Sequence, residues 1–500
     1  MTDVVQSFSE FFANLGLPTV LIFVLVMLVS LWMLSSMNSR VNWPPGPVCF
    51  PVVGCLPQLM ISGRRRQPTD LLPWYDTYGD IMHIQLGEQH MIMLGSYELI
   101  EEAFVRNAAT VSDRPTWIYP IRRLVGKDGA GVILKNGHAW KELRRFTLSS
   151  LRDFGLGRKS LQEKIQDEAR YLVQNIEDEN GKAFSPRDRV AKAVSNIISF
   201  VVFGVRYDYE DTPEMLSVLE ESVRMNKGGP LAFTNLARLL FPKKKFVLVD
   251  KFYSLIRQEV ERHRQSFDPT DIRDFIDLYI KVTQERLDPE IYTEWNVFRI
   301  IVDLYSAGTD TTANTLRWSL VHIVNHPDVQ KRVQKEIDQV IGQGRVAKME
   351  DKARMPFTEA TILEVFRMST VVPMGGPHAT SEATTLAGYT IPKGTIILGD
   401  LYRVLHDKKN FEDPYNFKPE RWLDGDGKVI KSDKMIPFSI GPRICLGKGL
   451  AEMESFIFLT SLLQNFTFKV PKGENQPSGV EGVNTITFTP HDYNVCAVRR

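Results

Sequence analysis

Cysteine is scarce in this sequence and net charge is nearly absent. Four cysteines (Cys49, Cys55, Cys445 and Cys496) in 500 residues do not make a disulfide framework, and a reducing compartment fits that usage better. Cys49, Cys55 and Cys496 read by default as small buried hydrophobes. Basic residues number 61 and acidic ones 60, a formal net charge of +1. That balance leaves no electrostatic footprint for nucleic acid. The chain has no GxxxxGK[ST] phosphate loop, no paired CxxC and no HExxH, so the nucleotide and zinc sites those motifs build are not expected. No fixed-period repeat is present, which argues against a solenoid.

What is present is ordinary globular material, 43% hydrophobic and 24% charged. Helical spacing dominates at 140–151, 162–176, 190–203, 246–263, 295–325, 327–341 and 359–368. A hairpin is expected around Gly87 in "DIMHIQLGEQHMIMLGS", a second β-rich patch at 383–400, and late strands around "FTFKV" and "NTITFTP". Strands do not alternate with helices, so a doubly wound sheet is excluded. The expected fold is mainly α with small β portions, in a single large domain.

Residues 11–39 carry no charge, and the apolar run at about 17–34 is long enough to cross a bilayer as one helix. A cleaved signal peptide is the alternative, but no basic residue precedes the run and no clean small-residue cleavage site follows it. Asp3 and Glu10 lie before it, and Arg40, Arg64, Arg65 and Arg66 after it, so the positive-inside rule places the following body in the cytosol. The sequon at Asn465 is then not expected to be glycosylated. Residues 1–40 read as a membrane anchor and 41–54, with Pro44, Pro45, Pro47 and Pro51, as a stiff hinge or simple spacer. The body occupies 55–500.

In "PFSIGPRICLG", Cys445 lies just before a strong helix pattern, where free N–H groups favour a thiolate. Gly441 and Gly447 permit close approach of a flat ligand or of backbone. Arg443 offers a cation two residues away. Together these suit haem, with iron on the sulfur and the arginine on a propionate. A buried structural cysteine beside a turn is the alternative on chemistry alone.

"FSIGPRICLG" resembles the FxxGxRxCxG signature of the cytochrome P-450 superfamily at every fixed position. "WKELR", "AGTDTT", "EVFR", "PHA" and "FKPERW" follow in the family's order, and the whole chain looks most like the animal microsomal family 2 enzymes. The resemblance implies haem b with an axial thiolate from Cys445 as metal ligand. Propionate contacts are implied for Arg114, Trp140, Arg144, His378 and Arg443. A structural triad Glu364–Arg367–Arg421 is implied to hold the cysteine loop, although an i,i+3 pair alone is usually a solvated surface pair. An acid–alcohol pair, Asp310 and Thr311, is implied to deliver protons, and Ala307 and Gly308 to leave room for dioxygen. Leu304, Ala307, Gly308, Val371 and Met374 are implied pocket walls, largely apolar.

The implied activity is monooxygenation of a hydrophobic fatty acid, steroid or xenobiotic with O2. Electrons would come from NADPH–haemoprotein reductase, with cytochrome b5 as a further candidate donor. The implied location is the endoplasmic reticulum membrane, single-pass, with the body cytosolic and in contact with membrane lipid. Arg122, Arg123, Lys141, Arg145, Lys434 and Lys448 are candidate contacts for an acidic flavin domain; ordinary solubilising charge explains any one of them equally well. A reductase-independent isomerase or dehydratase and a non-enzymatic membrane haem protein are the rival readings. Asp400, where many relatives carry asparagine, is a departure that puts local hydrogen bonding in question.

Overall fold

The computed structural model describes residues 18–24, 26–27, 30, 42–50, 53–62, 67–155, 159–211, 213–225, 244–285 and 288–500. Eight of the longer helices frame the molecule: α1 Gly137–Asp153, α2 Lys159–Glu177, α3 Arg187–Phe203, α4 Lys244–Gln265, α5 Glu294–Asn325, α6 Pro327–Val340, α7 Pro356–Ser369 and α8 Lys448–Asn465. The strands are short: β1 Ile81–Leu86, β2 Gln89–Leu94, β3 His378–Ala379, β4 Ile396–Gly399, β5 Phe466–Lys469, β6 Gly482–Asn484, β7 Phe488–Pro490 and β8 Val495–Arg499. The architecture is mainly helical with small sheets, and the expected helices lie within a few residues of the observed ones.

α5 is the axis of the molecule. Its 32 residues are buried on nearly every side because other helices surround it. Thr293 caps it by accepting a hydrogen bond from the Asn296 N–H at 3.1 Å. α3 runs against it, and a Cβ on Gly308 would stand 3.1 Å from Ile198 Cδ1, so a small residue is what lets the two helices approach. The Ser195 and Tyr305 hydroxyls share a buried hydrogen bond of 2.9 Å across the same contact. The main hydrophobic core gathers side chains from α2, α3, α5 and α8, among them Ile165, Val194, Ile301, Trp318 and Phe456.

The largest sheet has the order β1–β2–β4–β3. β1 and β2 form the hairpin expected around Gly87, with Ile81 opposite Leu94 and Leu86 opposite Gln89. Strict alternation along β1 turns Met82, Ile84 and Leu86 into a second core. β2 pairs in parallel with β4, and β3 closes the far edge through His378 opposite Ile397. This sheet puts His378 beside the cysteine loop.

Of the expected anchor helix at about 17–34, residues 18–24, 26–27 and 30 are described, and the rest lies outside the described residues. Residues 18–24 are helical, with Leu21, Ile22 and Phe23 exposed. Among the described residues, no helix is long and apolar enough to cross a membrane. Of the proline-rich stretch, residues 42–50 lie against β1. Trp43 stacks on His83 with ring centroids 4.3 Å apart, and the His83 N–H donates to the Pro45 carbonyl at 2.8 Å.

Candidate functional site

The loop that precedes α8 places Cys445. Its N–H donates to the Phe438 carbonyl at 3.0 Å, and the Ile444 N–H donates to Gly441 at 3.0 Å. Gly441 has φ +79°, and a Cβ there would lie 2.0 Å from the Phe104 carbonyl oxygen. That glycine is required by neighbouring backbone. Gly447 differs, since a Cβ there meets nothing within 4 Å.

The Cys445 residue keeps exposed surface, yet protein surrounds most of its thiol. Burial pushes its thiol up. The backbone N–H groups of Gly447 and Lys448 and the charge of Arg144 pull it down. Those N–H groups begin α8, so the expected helix N-terminus does face the sulfur.

Five expected side chains from four chain segments meet around this loop. Arg114 Nε donates to the Ile133 carbonyl at 3.2 Å and its Nη1 to Pro377 at 2.7 Å. Arg144, from α1, donates to the Ile444 carbonyl at 2.6 Å. Arg443 donates to the carbonyls of Ser112 at 2.8 Å and Lys135 at 2.7 Å. The Arg443 guanidinium also covers the Trp140 ring at 3.6 Å from its centroid. His378 stacks on Phe104 at 3.8 Å, and its Nδ1 bonds the Val111 carbonyl at 2.8 Å.

The electrostatics of this cluster are one-sided. Burial, together with Arg114 and Arg144 beside it, drags Arg443 down to about 8 although the Asp113 charge opposes them. Burial and Arg144 bring Arg114 to about 10. Burial, Arg114 and Arg443 hold His378 well below the ordinary histidine range. Arginine does not surrender its proton in proteins; the downward pull measures buried positive charge without enough counter-charge. Arg443 Nη1 and Trp140 Nε1 are buried with no hydrogen-bond partner among the described residues. Buried donors of this kind ask for an acceptor. A planar ligand with two carboxylates at one edge and an iron over Cys445 supplies what the residues lack, so the site fits haem.

Glu364 and Arg367 are both fully buried and joined by two hydrogen bonds of 2.9 and 2.8 Å. Arg421 Nε donates to the same carboxylate at 3.0 Å, and Trp422 Nε1 does so at 2.9 Å. Arg367 reaches on to the carbonyls of Leu405 and Pro414. The three expected residues thus form one buried knot.

Asp310 and Thr311 sit side by side on α5 but face different surroundings. The Asp310 carboxylate accepts from Thr487 at 2.8 Å and Asn314 at 3.1 Å, and burial raises its pKa despite them. Thr311 returns its hydroxyl proton to the Ala307 carbonyl at 2.8 Å. A cavity of about 470 Å³ opens beside Asp310, lined by Thr309, Arg187, Arg317 and Asp492 among others; Cys445 is not in its walls. Leu304 is buried in the main core and Ala307 is exposed. Gly308 packs on Ile198. Val371 accepts the Phe488 N–H at 2.7 Å, and Met374 packs against the β1 core.

Several partners escaped the sequence reading. Asn136 accepts from the Arg114 N–H at 2.7 Å and from Arg443 at 3.4 Å, tying the two arginines together. Its position just before α1, four residues ahead of Trp140, was the available signal. Glu454 lies nine residues after Cys445 on α8, is fully buried, and hydrogen-bonds Thr312 on α5. Asp400, the departure noted above, caps the helix Leu401–Leu405 by accepting the Arg403 N–H at 2.9 Å.

A family model for cytochrome P450 matches residues 44–497. The chain is 37% identical to chicken (Gallus gallus) cytochrome P450 2H1, over 97% of this chain and 99% of that protein. It is 38% identical to bovine (Bos taurus) cytochrome P450 2D14, over 95% and 97% respectively. It is 36% identical to human (Homo sapiens) cytochrome P450 2J2, over 91% of each. The chain therefore belongs to the cytochrome P450 family and is a monooxygenase that binds haem b through a cysteine thiolate.

Proposed function

We propose that this protein is a membrane-anchored monooxygenase that inserts one oxygen atom of O2 into a hydrophobic substrate of the fatty acid, steroid or xenobiotic class. The observation that carries the reading is the buried, under-neutralised cluster of Arg114, Arg144, Arg443 and His378 beside Cys445. Haem supplies dioxygen activation when bound, and a thiolate ligand favours O–O cleavage. Around it, Cys445 serves as the axial ligand. Arg114, Trp140, Arg144, His378 and Arg443 hold the propionates, and the Glu364–Arg367–Arg421 knot fixes the loop. Asp310 takes up protons from the cavity beside it and Thr311, the next residue of α5, passes them on. Leu304, Ala307, Gly308, Val371 and Met374 bound the substrate space.

Electrons come from NADPH–haemoprotein reductase, with cytochrome b5 as a second donor. Lys141 and Arg145 share α1 with Arg144, and Lys448 starts α8 at the cysteine, which supports docking on that side. Lys434 pairs with Glu98, and Arg123 lies 3.6 Å from Asp250; Arg122 sits beside it on the same short helix.

The uncharged run at 11–39 supports a single-pass anchor in the endoplasmic reticulum with residues 55–500 cytosolic and 41–54 as the connection. Exposed Val48, Phe50, Met60 and Ile61 next to that connection support contact with lipid. The test uses the full chain in vesicles with added reductase. Carbon monoxide on the reduced protein should give the long-wavelength Soret band of thiolate-ligated iron. NADPH-dependent O2 uptake should rise with members of a lipid and drug panel. A thiolate spectrum without reductase-dependent O2 uptake would favour an isomerase or carrier.

A further inference from the structure

Cys49 and Cys55 were read as separate hydrophobes, yet the fold puts their sulfurs together. Phe50 and Gly54 exchange two backbone hydrogen bonds of 2.8 Å each, closing a small antiparallel loop. Cys49 and Cys55 are the next residues outward on the two limbs, the position at which an antiparallel pair is not hydrogen-bonded and brings its side chains closer. The two thiols are within hydrogen-bonding reach of each other. Cys55 Sγ also lies 3.1 Å from the Gln85 carbonyl, and Cys49 Sγ lies 3.4 Å from that of Pro47.

We propose that Cys49 and Cys55 form a reversible dithiol–disulfide site, with Cys49 the peroxide-reactive thiol and Cys55 its resolving partner. Accessibility divides the roles. Cys49 is half-buried, whereas Cys55 is fully buried. The hydrogen bond from Cys55, the largest influence, holds Cys49 down at about 7, and Cys55 is raised correspondingly. A thiolate that can be reached, with a second thiol against it, is the arrangement in which sulfenic acid goes on to a disulfide.

The oxidant is hydrogen peroxide. The Cys49 thiolate attacks one peroxide oxygen and the O–O bond breaks. Sulfenic acid forms on Cys49, and hydroxide leaves and takes up the released proton as water. The Cys55 sulfur then attacks the sulfenic sulfur, and the S–O bond breaks as the S–S bond forms. The departing hydroxide leaves as water with the Cys55 proton. The two thiols lose two electrons and the peroxide gains them.

Closure fastens the outer limb of the loop to one already stitched to β1. Cys55 N–H donates to Gln85 at 2.8 Å, and a Cβ on Gly54 would lie 2.1 Å from that carbonyl oxygen. Residues 48–50, with exposed Val48 and Phe50, would then be held covalently to the body.

The test uses the full-length haem-loaded protein, reduced, freed of reductant and titrated with hydrogen peroxide before maleimide labelling and tryptic digestion. The peptide spanning residues 41–64 carries both cysteines. It should appear unlabelled and lighter by two hydrogens, and recover both labels after dithiothreitol. Cys49 should react about tenfold faster than the same thiol in the denatured chain, since near neutral pH a thiol held at about 7 is far more ionised than one at its ordinary value. In Cys55→Ser, dimedone should trap sulfenic acid on Cys49; in Cys49→Ser, Cys55 should stay reduced. The carbon monoxide spectrum reports that each variant is folded. Retention of both thiols at a dose that oxidises Cys496, or bridging of Cys49 only to a second chain, overturns the proposal.

Discussion

The Arg443 guanidinium lies 3.6 Å from the centre of the Trp140 indole, and each residue leaves one buried nitrogen without a partner. The two are 303 positions apart in the chain; α1 and the cysteine loop bring them together. Trp140→Phe keeps the ring under the guanidinium and deletes one N–H. Haem retention should fall about tenfold, and Arg443→Ala should lower it by a further order of magnitude, at roughly 1.5–3 kcal/mol per charged hydrogen bond. Haem content per polypeptide after gel filtration is the measurement, with the carbon monoxide spectrum showing what remains thiolate-bound.

The Glu364 knot should behave as an all-or-none structural element. Its carboxylate serves Arg367, Arg421, Trp422 and the Lys418 N–H. Glu364→Ala leaves the buried Arg367 charge uncompensated, which costs about 3–5 kcal/mol. Thermal unfolding of the variant should move down sharply with loss of haem. Wild-type thermal stability in Glu364→Ala would show that the knot does not hold the loop.

Glu454 gives stability a pH dependence of a particular sign. Burial raises it from the ordinary 4.5 to about 8, and the Thr312 hydrogen bond lowers it only in part. The folded chain therefore holds a proton that the unfolded chain releases between those values. This contribution is fully present below about pH 4.5 and is lost as pH rises toward about 8, with ~5 kcal/mol as its ceiling. Glu454→Gln mimics the protonated acid. Denaturant midpoints across that window should decline less steeply in the variant than in the parent, and the variant should be the more stable at about pH 8. Parallel curves would remove Glu454 as the cause.

Asp310→Asn should preserve the hydrogen bond with Thr487 and remove the ionisable group. Substrate binding and the carbon monoxide spectrum should stay as in the parent. Turnover with reductase should fall about 100-fold, the usual scale for a lost proton donor, with a larger solvent deuterium isotope effect. Unchanged turnover would assign Asp310 to holding the 482–490 turn alone.

The sequence by itself determined the mainly helical class, the β1–β2 hairpin and the order of motifs along the chain. These depend on periodicity, on turn residues and on short-range spacing, all local in the chain. The family resemblance of its motifs implied five of the side chains that gather around Cys445. It could not join Asn136 to Arg443, Thr487 to Asp310, or Glu454 to Thr312, because hydrogen bonds across such separations exist only once helices and turns are packed. Nor could it show that Gly441 yields to the Phe104 carbonyl whereas Gly447 opens to free space. Cys49 and Cys55 make the same point at short range. Five residues of sequence separate them, and only the reciprocal Phe50–Gly54 bonds, set against the end of β1, turn two thiols into a pair.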